Sequence, residues 1–509
     1  MLSLYDTNLA IDGAPLIWAV GGSDSRAGAG IQADLLTAQD LGACCCTIVT
    51  AVTAQSARQV AMVQAVDPRV VEQQLNTLLE DGRPQLIKVG LVATQEQVEV
   101  IAKWLQKNPV ELVLDPVQIA SNQDGLTVGK VDLSPLFSYC KLITPNKHEI
   151  DALGGIEKLS TTGARAVLVT GKKIAKGQLA DCLYEFGNSG CKLWRHTRID
   201  SINSHGTGCT LATAITVFSA QGFHLADAIT QAIAYVRNGL LTDEIGSTNH
   251  SVSHKGWPGN SGVWPMAVET KKRDGIFDSE AVNRDITFPS LKQPLGFYPV
   301  VDSFEWVKKL IDCGVRTIQL RIKNAVSQKN LRCELAEAIA YAEEAEAQLF
   351  INDHWQLACD LKAYGVHLGQ EDLETANLKT IVNAGLRLGI STHGFFELSV
   401  ALSCKPSYYA LGHIFATTTK EMPSSPQGLS RLSKYASLMR DFPIVAIGGI
   451  NLLNAEKVMS CGVSSIAVVR SVTESENLPD TIRKYSEIFH SMKYTANIDK
   501  EALYADICE

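Results

Sequence analysis

Short apolar runs that stop abruptly at Gly, Asp, Pro or Asn recur along this chain, with helix-like stretches between them. Each run is too short for a helix and too uniformly apolar for a strand with one wet face. Each therefore reads as a strand buried on both faces of a mostly parallel sheet. In the first half the candidates are Leu16–Val20, Cys46–Ala51, Leu86–Val89, Leu112–Leu114, Lys141–Ile143 and Ala166–Val169. The second half supplies eight more: Gly296–Val301, Thr317–Arg321, Gln348–Ile351, Gly365–Leu368, Leu386–Ile390, Tyr408–Gly412, Ile444–Ile447 and Ser465–Val469. Helix-like stretches such as Ser303–Cys313, Leu331–Ala347 and Asn454–Cys461 separate several of them. Eight such units between Gly296 and Ser486 fit a compact (β/α)8 barrel, with a doubly wound open sheet as the alternative.

A chain of 509 residues is too long for one ordinary core, so at least two domains are expected. The pattern breaks between Val252 and Lys292, where HKGWPGNSGVWP and KKRD replace the periodic runs. The expected layout is an α/β domain over 1–250, a connection over 251–292, the barrel over 293–494 and a polar, loosely held tail over 495–509. Trp257 and Trp264 suggest that part of the connection packs onto a domain.

Composition narrows the function classes. A net charge of -8 gives no basic footprint for nucleic acid. No apolar run approaches the ~20 residues that a membrane helix needs, and the start MLSLYDTNLA has no basic n-region or apolar h-region. Thirteen Cys without paired spacing point to reduced thiols in a cytoplasmic enzyme. Cys44, Cys45 and Cys46 alternate faces on a strand, so they read as small buried thiols and not as a metal site.

The polar strand ends of the second half carry the chemistry. Barrel enzymes work at the carboxyl ends of their strands. Here those ends hold Gln319, Arg321 and Lys323; Asn352 and Asp353; Asp372; Ser391 and Thr392; Thr417, Thr418, Thr419 and Lys420; Gly448 and Gly449; and Val469, Arg470 and Ser471. Two carboxylates past neighbouring strands suit a hard cation beside a charged ligand, although Asp is also a favoured helix cap. Glycines after the seventh strand let backbone N–H groups approach a phosphate closely.

This region, from Gly296 to Ser486, closely resembles thiamine phosphate synthase. The resemblance is carried by QLRIK (319–323), ND (352–353), GVHLGQED (365–372), GIST (389–392), TTTK (417–420) and AIGGI (446–450). It implies that Asp353 and Asp372 hold Mg2+. It implies that Gln319, Arg321, Lys323, Asn352, Ser391 and Lys420 bind an aminopyrimidine diphosphate. Thr417, Thr419 and Gly449, with the turn at Val469 and Arg470, would hold a thiazole phosphate. Arg321 and Lys420 would also stabilise charge on the leaving diphosphate. Arg470 stands where the family usually has Ser. His354, His367, His393 and His413 also lie near strand ends; a sugar-phosphate epimerase or aldolase on this fold would need a metal-binding His set or a Schiff-base Lys there. Their positions favour packing or hydrogen bonding.

In the first half, Gly-rich backbone runs into a helical stretch at Ser204–Thr210, and a second Gly-rich turn spans Gly21–Gly30. Such turns make anion sites from free N–H groups and the helix dipole. Together with TAVTAQ (50–55), LDPV (114–117) and ITPNKHE (143–149), they resemble hydroxymethylpyrimidine/phosphomethylpyrimidine kinase, of the ribokinase-like α/β/α fold. The resemblance implies that Gln55 binds the pyrimidine, that Gly206 and Gly208 line the ATP phosphates, and that Glu149 acts through Mg2+-bound water. Cys209 would be the base, its thiol acidified by the helix N-terminus. Ser25–Ala27, Gln118 and Thr170–Lys173 depart from the family pattern. The combined expectation is a transferase of thiamine biosynthesis that uses ATP and Mg2+ on small-molecule substrates. The alternative is a synthase whose first half has become a pyrimidine-binding or scaffolding module. A homo-oligomer is compatible with this reading.

Overall fold

The computed structural model of the protein describes residues 13–56, 59–118, 125–188, 190–201, 204–241, 251–270, 286–323, 327–417 and 425–505. Side chains from 492 onward and at 270 lie outside that description. Two units emerge, Met1–Pro258 with Gly262–Phe277, and Gly259–Ser261 with Asp278–Glu509.

The first unit is built on one sheet. Its strands are β1 (Leu16–Asp24), β2 (Cys44–Gln55), β3 (Val60–Ala65), β4 (Leu86–Val89), β5 (Leu112–Leu114), β6 (Cys140–Ile143), β7 (Ala166–Ala175), β8 (Gln178–Glu185), β9 (Cys191–Thr197) and β10 (Met266–Thr270). Their order is β10-β9-β8-β7-β6-β5-β4-β1-β2-β3. The six strands expected from the sequence are the central parallel ones, β7-β6-β5-β4-β1-β2. The other four pair antiparallel at the two edges. Strand β3 (VAMVQA) gives the reason the apolar-run pattern does not mark them, since it lies at an edge with none of its side chains fully buried. A strand exposed in this way need not be an unbroken apolar run.

Helices cover both faces. Pro68–Asp81 and Gln95–Lys107 bury Val71, Leu75, Val98, Ile101 and Leu105 in a core shared with Trp18, Ile87 and Leu112. Thr207–Ala220 packs on β1, β4 and β5 and buries every residue from Ala212 to Ser219. Part of the expected connection is sheet, because β10 pairs with β9. Trp264 is buried beside Trp257, whose indole N–H donates to Gln231 Oε1 at 3.1 Å. The CCC run opens β2 with Cys44 exposed and its neighbours half-buried, so burial is not what these thiols have in common. The described cysteines are free.

The second unit is a closed barrel of eight parallel strands. They are β11 (Phe297–Val301), β12 (Thr317–Leu320), β13 (Gln348–Asn352), β14 (Gly365–Leu368), β15 (Arg387–Thr392), β16 (Tyr408–Leu411), β17 (Ile444–Ile447) and β18 (Ile466–Val468). Pairing of β11 with β18 closes the ring. The open-sheet alternative is thereby set aside. Tyr298, Phe350 and Tyr408 meet edge to face, with centroids 5.0–5.9 Å apart, in a buried cluster with Val300, Ala410, Val445 and Ala467. A helix then runs Leu478–Ala505, through the expected tail. Its sequence contains no Gly, and its only Pro is in the first turn, where Pro is tolerated. Tyr485 on that helix is fully buried and stacks on Phe297 at 4.5 Å.

Close packing around the aromatic rings fixes one barrel position. A Cβ at Gly389 would lie 2.1 Å from Tyr408 Cζ, so the ring occupies the space a side chain would need. We expect Gly389→Ala to destabilise the barrel by about 1–3 kcal/mol through overpacking. Chemical denaturation followed by near-UV signal would measure it.

Candidate functional site

In the first unit, the carboxyl ends of the parallel strands and the start of the helix Thr207–Ala220 line a cavity of about 1140 Å³. The two Gly-rich turns meet there. Asp24, at the end of β1, accepts from the backbone N–H groups of Arg26, Gly28 and Ala29 at 2.9–3.1 Å and contacts His205 Nε2 at 3.0 Å. Burial opposes its charge, but the bonds from His205 and the backbone prevail and hold the carboxyl below its ordinary value. Gly206 has φ +82°, and a Cβ on it would lie 1.9 Å from Gly28 O, so only glycine lets the turns approach.

Gln55, at the end of β2, sits with its amide 3.2 Å from His205 Nε2. The Ser25 hydroxyl bridges the Gln55 backbone, donating to its carbonyl at 3.1 Å and accepting from its N–H at 2.9 Å. That departure from the family turn therefore holds the pyrimidine candidate in place. Thr170 and Gly171 line the cavity, whereas Lys172 and Lys173 lie further along β7, where it pairs with β8.

Cys209 lies in the first turn of the helix, at the cavity wall with Gly208. Its thiol differs from expectation. Burial pushes it up to about 12, Asp115 and Asp34 add to the rise, and Lys88 only partly offsets it. Desolvation and the two carboxylates outweigh Lys88 and the backbone hydrogen bond from Gly30. Lys88 itself is fully buried and paired with Asp34 at 2.9 and 3.0 Å, and Thr213 Oγ1 donates to Asp34 Oδ1 at 2.7 Å. Burial works against the ammonium, but Asp34 and its neighbours keep it charged.

Asp115, at the end of β5, is the residue whose role the sequence did not reveal. It is 3% exposed, and its Oδ2 has no hydrogen-bond partner among the described residues. Glu149 also lines the cavity and closes a capping box with Asn146. Burial raises its carboxyl to about 7, with Asp115 adding to the rise. A buried carboxyl group with an orphaned oxygen and a half-buried one beside it form a donor set fit for a hard divalent cation.

In the barrel, three adjacent strand ends converge. Arg321 follows β12 and donates its backbone N–H to Val301 O at 2.7 Å. Asn352 ends β13 and is buried. Asp353 follows at φ +62°, its N–H donating to His367 O at 3.0 Å across to β14. Asp372 lies in the first turn of the helix Gln370–Thr375, where its Oδ2 accepts from Gly369 N–H at 3.3 Å. Burial first, then the neighbouring Asp372, hold the Asp353 carboxyl up at about 6 against the opposing charge of Arg321. A pair of carboxyl groups close enough to repel, faced by a guanidinium, fits Mg2+ that takes its other oxygens from a ligand.

Gln319 lies buried in β12, while Lys323 is exposed beyond its end. Ser391, in β15, is half-buried with Oγ 2.8 Å from His367 Nε2. Thr417 is half-buried. Thr419 and Lys420 lie outside the described residues. Gly448 and Gly449, at φ +102° and +67°, follow β17. Val469 caps the short helix Arg470–Thr473, and Arg470 is exposed. His354 meets Ile322 O at 3.1 Å and His393 pairs with Glu397 at 2.8 Å, so hydrogen bonding occupies these rings. Among the described residues no three His, Cys, Asp or Glu gather as metal ligands.

An eight-stranded parallel barrel with paired carboxylates, an arginine and a glycine turn at one rim defines a phosphate-handling barrel enzyme. Family models match phosphomethylpyrimidine kinase over residues 24–253 and thiamine monophosphate synthase over residues 297–472. The chain is 53% identical over 193 residues to a thiamine-phosphate synthase of Salmonella paratyphi A, covering 91% of that protein and 38% of this chain. It is 55% identical over 188 residues to that of Salmonella typhimurium, covering 89% of that protein and 37% of this chain. A solved phosphomethylpyrimidine kinase from Clostridium difficile is 29% identical, with 96% of that chain and 43% of this one covered and a TM-score of 0.37. Through its second half, the chain belongs to the thiamine-phosphate synthase family.

The first unit makes a proton-linked prediction. A Glu149 carboxyl raised to about 7 is partly protonated at neutral pH, and a cation must displace that proton. Mg2+ affinity should therefore fall as pH drops below about 7, by at most about tenfold per pH unit. Calorimetric titration of Mg2+ in two buffers of different ionisation enthalpy should show the released proton, and Glu149→Gln should remove it.

Proposed function

We propose that this chain performs consecutive steps of thiamine biosynthesis. The first unit phosphorylates hydroxymethylpyrimidine and then its monophosphate, with ATP as donor. The second joins the resulting diphosphate to thiazole phosphate, releasing pyrophosphate. The observation that carries the reading is the Asp353–Asp372 pair facing Arg321 at three adjacent strand ends, in a barrel with close synthase relatives.

In the first unit, Gln55 holds the pyrimidine, and the N–H groups around Gly206 and Gly208 receive the ATP phosphates. Mg2+ held by Glu149 and Asp115 would neutralise charge on those phosphates. Loss of carboxylate charge beside Cys209 also removes one cause of its raised pKa. Cys209, as its thiolate, then takes the hydroxyl proton as that oxygen attacks the terminal phosphorus of ATP, and the P–O bond to ADP breaks with its electrons leaving on ADP.

In the barrel, the C–O bond between the pyrimidinylmethyl carbon and the diphosphate breaks, and its electrons leave with the diphosphate. Arg321, Lys323 and Lys420 stabilise that charge as it develops. Mg2+ between Asp353 and Asp372 would add to this stabilisation. Gln319, Asn352 and Ser391 orient the ring. The thiazole nitrogen then supplies the electron pair of the new C–N bond. Thr417, Thr419, Gly449 and the turn at Val469 and Arg470 hold the thiazole phosphate.

One assay of the full chain with hydroxymethylpyrimidine, ATP, Mg2+ and thiazole phosphate tests both halves. Wild type should yield thiamine phosphate. Cys209→Ala should stop diphosphate formation, and added pyrimidine diphosphate should restore product. Asp372→Ala or Asp353→Ala should instead accumulate the diphosphate, with synthase turnover down by about 10²–10³. No ADP release by wild type, with pyrimidine still bound, would make the first unit a binding module. Undiminished turnover in either Asp variant would remove the metal assignment.

A further inference from the structure

A chain of buried hydrogen bonds crosses the barrel interior and ends on two of the pyrimidine-binding candidates. Gln319 Nε2 donates to Tyr298 OH at 3.2 Å. Tyr298 OH meets Tyr408 OH at 2.8 Å. Tyr408 OH meets His367 Nδ1 at 2.7 Å, and His367 Nε2 meets Ser391 Oγ at 2.8 Å. Gln319, Tyr298, Tyr408 and His367 are all at most 5% exposed.

We infer that this chain is a polarised relay that fixes the pyrimidine subsite, presenting an acceptor at Gln319 Oε1 and a donor at Ser391 Oγ. The inference rests on the barrel being the pyrimidine diphosphate site proposed above. Its direction follows from counting protons. Each tyrosine hydroxyl carries one proton. Tyr298 already accepts from Gln319. If Tyr408 also donated to it, the Tyr298 proton would have no partner in this contact set, and an unmet buried donor is costly. Tyr298 therefore donates to Tyr408, and Tyr408 donates to His367 Nδ1.

His367 is neutral. An imidazolium donates from both ring nitrogens and could not accept from Tyr408 at Nδ1. With Nδ1 accepting, its single proton sits on Nε2 and is donated to Ser391 Oγ. The Ser391 hydroxyl proton then faces the ligand. A ring nitrogen meets that donor, and an exocyclic amino group meets the Gln319 carbonyl oxygen. An aminopyrimidine carries both groups, whereas an oxo-pyrimidine offers no amino donor to Gln319. Tyr298, Tyr408 and His367 are thus positioning residues for substrate selectivity.

The test uses the full chain and two readouts. In histidine-labelled protein, 15N NMR at neutral pH should place the His367 proton on Nε2. A proton on Nδ1 would overturn the polarity. In synthase kinetics, Tyr408→Phe should raise KM for the pyrimidine diphosphate about tenfold, the worth of one buried hydrogen bond. It should leave KM for thiazole phosphate unchanged. In a Ser391→Ala background the same change should add less than about twofold, because the relay acts through Ser391. Additive losses would sink the proposal. Tyr298→Phe supplies the same comparison should Tyr408→Phe fold poorly. A wild-type chain that makes no thiamine phosphate would defeat the functional reading alone, since the tautomer measurement stands without turnover.

Discussion

Parallel pairing places the carboxyl ends of paired strands on the same side, and the chemistry of both units follows from that constraint. In the barrel, Arg321, Asp353 and Asp372 come from separate segments that share no local geometry. They meet because β12, β13 and β14 are hydrogen-bonded in register, with Leu320 opposite Ile351 and Asn352 opposite His367. The first unit uses the same rule. Asp24, Gln55, Asp115 and Thr170 follow or end β1, β2 and β5, or lie within β7. All four line one cavity.

The interior of each unit is polar where the rim demands it. At the wall of the first cavity, Lys88 forms a fully buried set with Asp34 and Thr213 that holds a positive charge beside Asp115 and Cys209. Removing either ion alone would leave an uncompensated buried charge, so the two stand or fall together. In the barrel, the relay from Gln319 to Ser391 uses hydroxyls and a neutral imidazole, which need no counter-ion. The two solutions suit their neighbours. A thiol among carboxylates needs a nearby cation, whereas a ligand's ring edge needs only donors and acceptors of fixed sense.

The sequence disclosed what burial makes uniform. Every parallel strand was legible, because a strand covered on both faces is a continuous apolar run between turn residues. Strands β3, β8, β9 and β10 were not, since each lies in an antiparallel margin and mixes polar and apolar residues. Asp353, Asp372 and Arg321 stood out as polar residues at apolar strand ends. Asp115 lay in a recognised motif, but its significance depends on an unpartnered oxygen and on Glu149, which only the fold brings near. Tyr298 and Tyr408 read as core aromatics. Their hydroxyls acquire meaning only once the barrel closes and brings β11, β12, β14, β15 and β16 around one interior. The thiol of Cys209 shows the converse, a local rule overruled by its surroundings. A helix terminus acts over the first turn, whereas burial and two carboxylates act on the same sulfur with the opposite sign.

Both units use acidic pairs in the same way. Asp353 beside Asp372, and Glu149 beside Asp115, are raised first by burial and then by each neighbour's charge. Without a cation, such a pair lowers its free energy by keeping a proton. With one, that proton becomes the cost of binding, and the cation's charge replaces it at a fixed place. The strain at Asp353, a non-glycine residue at φ +62°, fits this view. The backbone there sets the carboxyl close to its rival. Pre-placing mutually repelling carboxylates raises the energy of the empty rim.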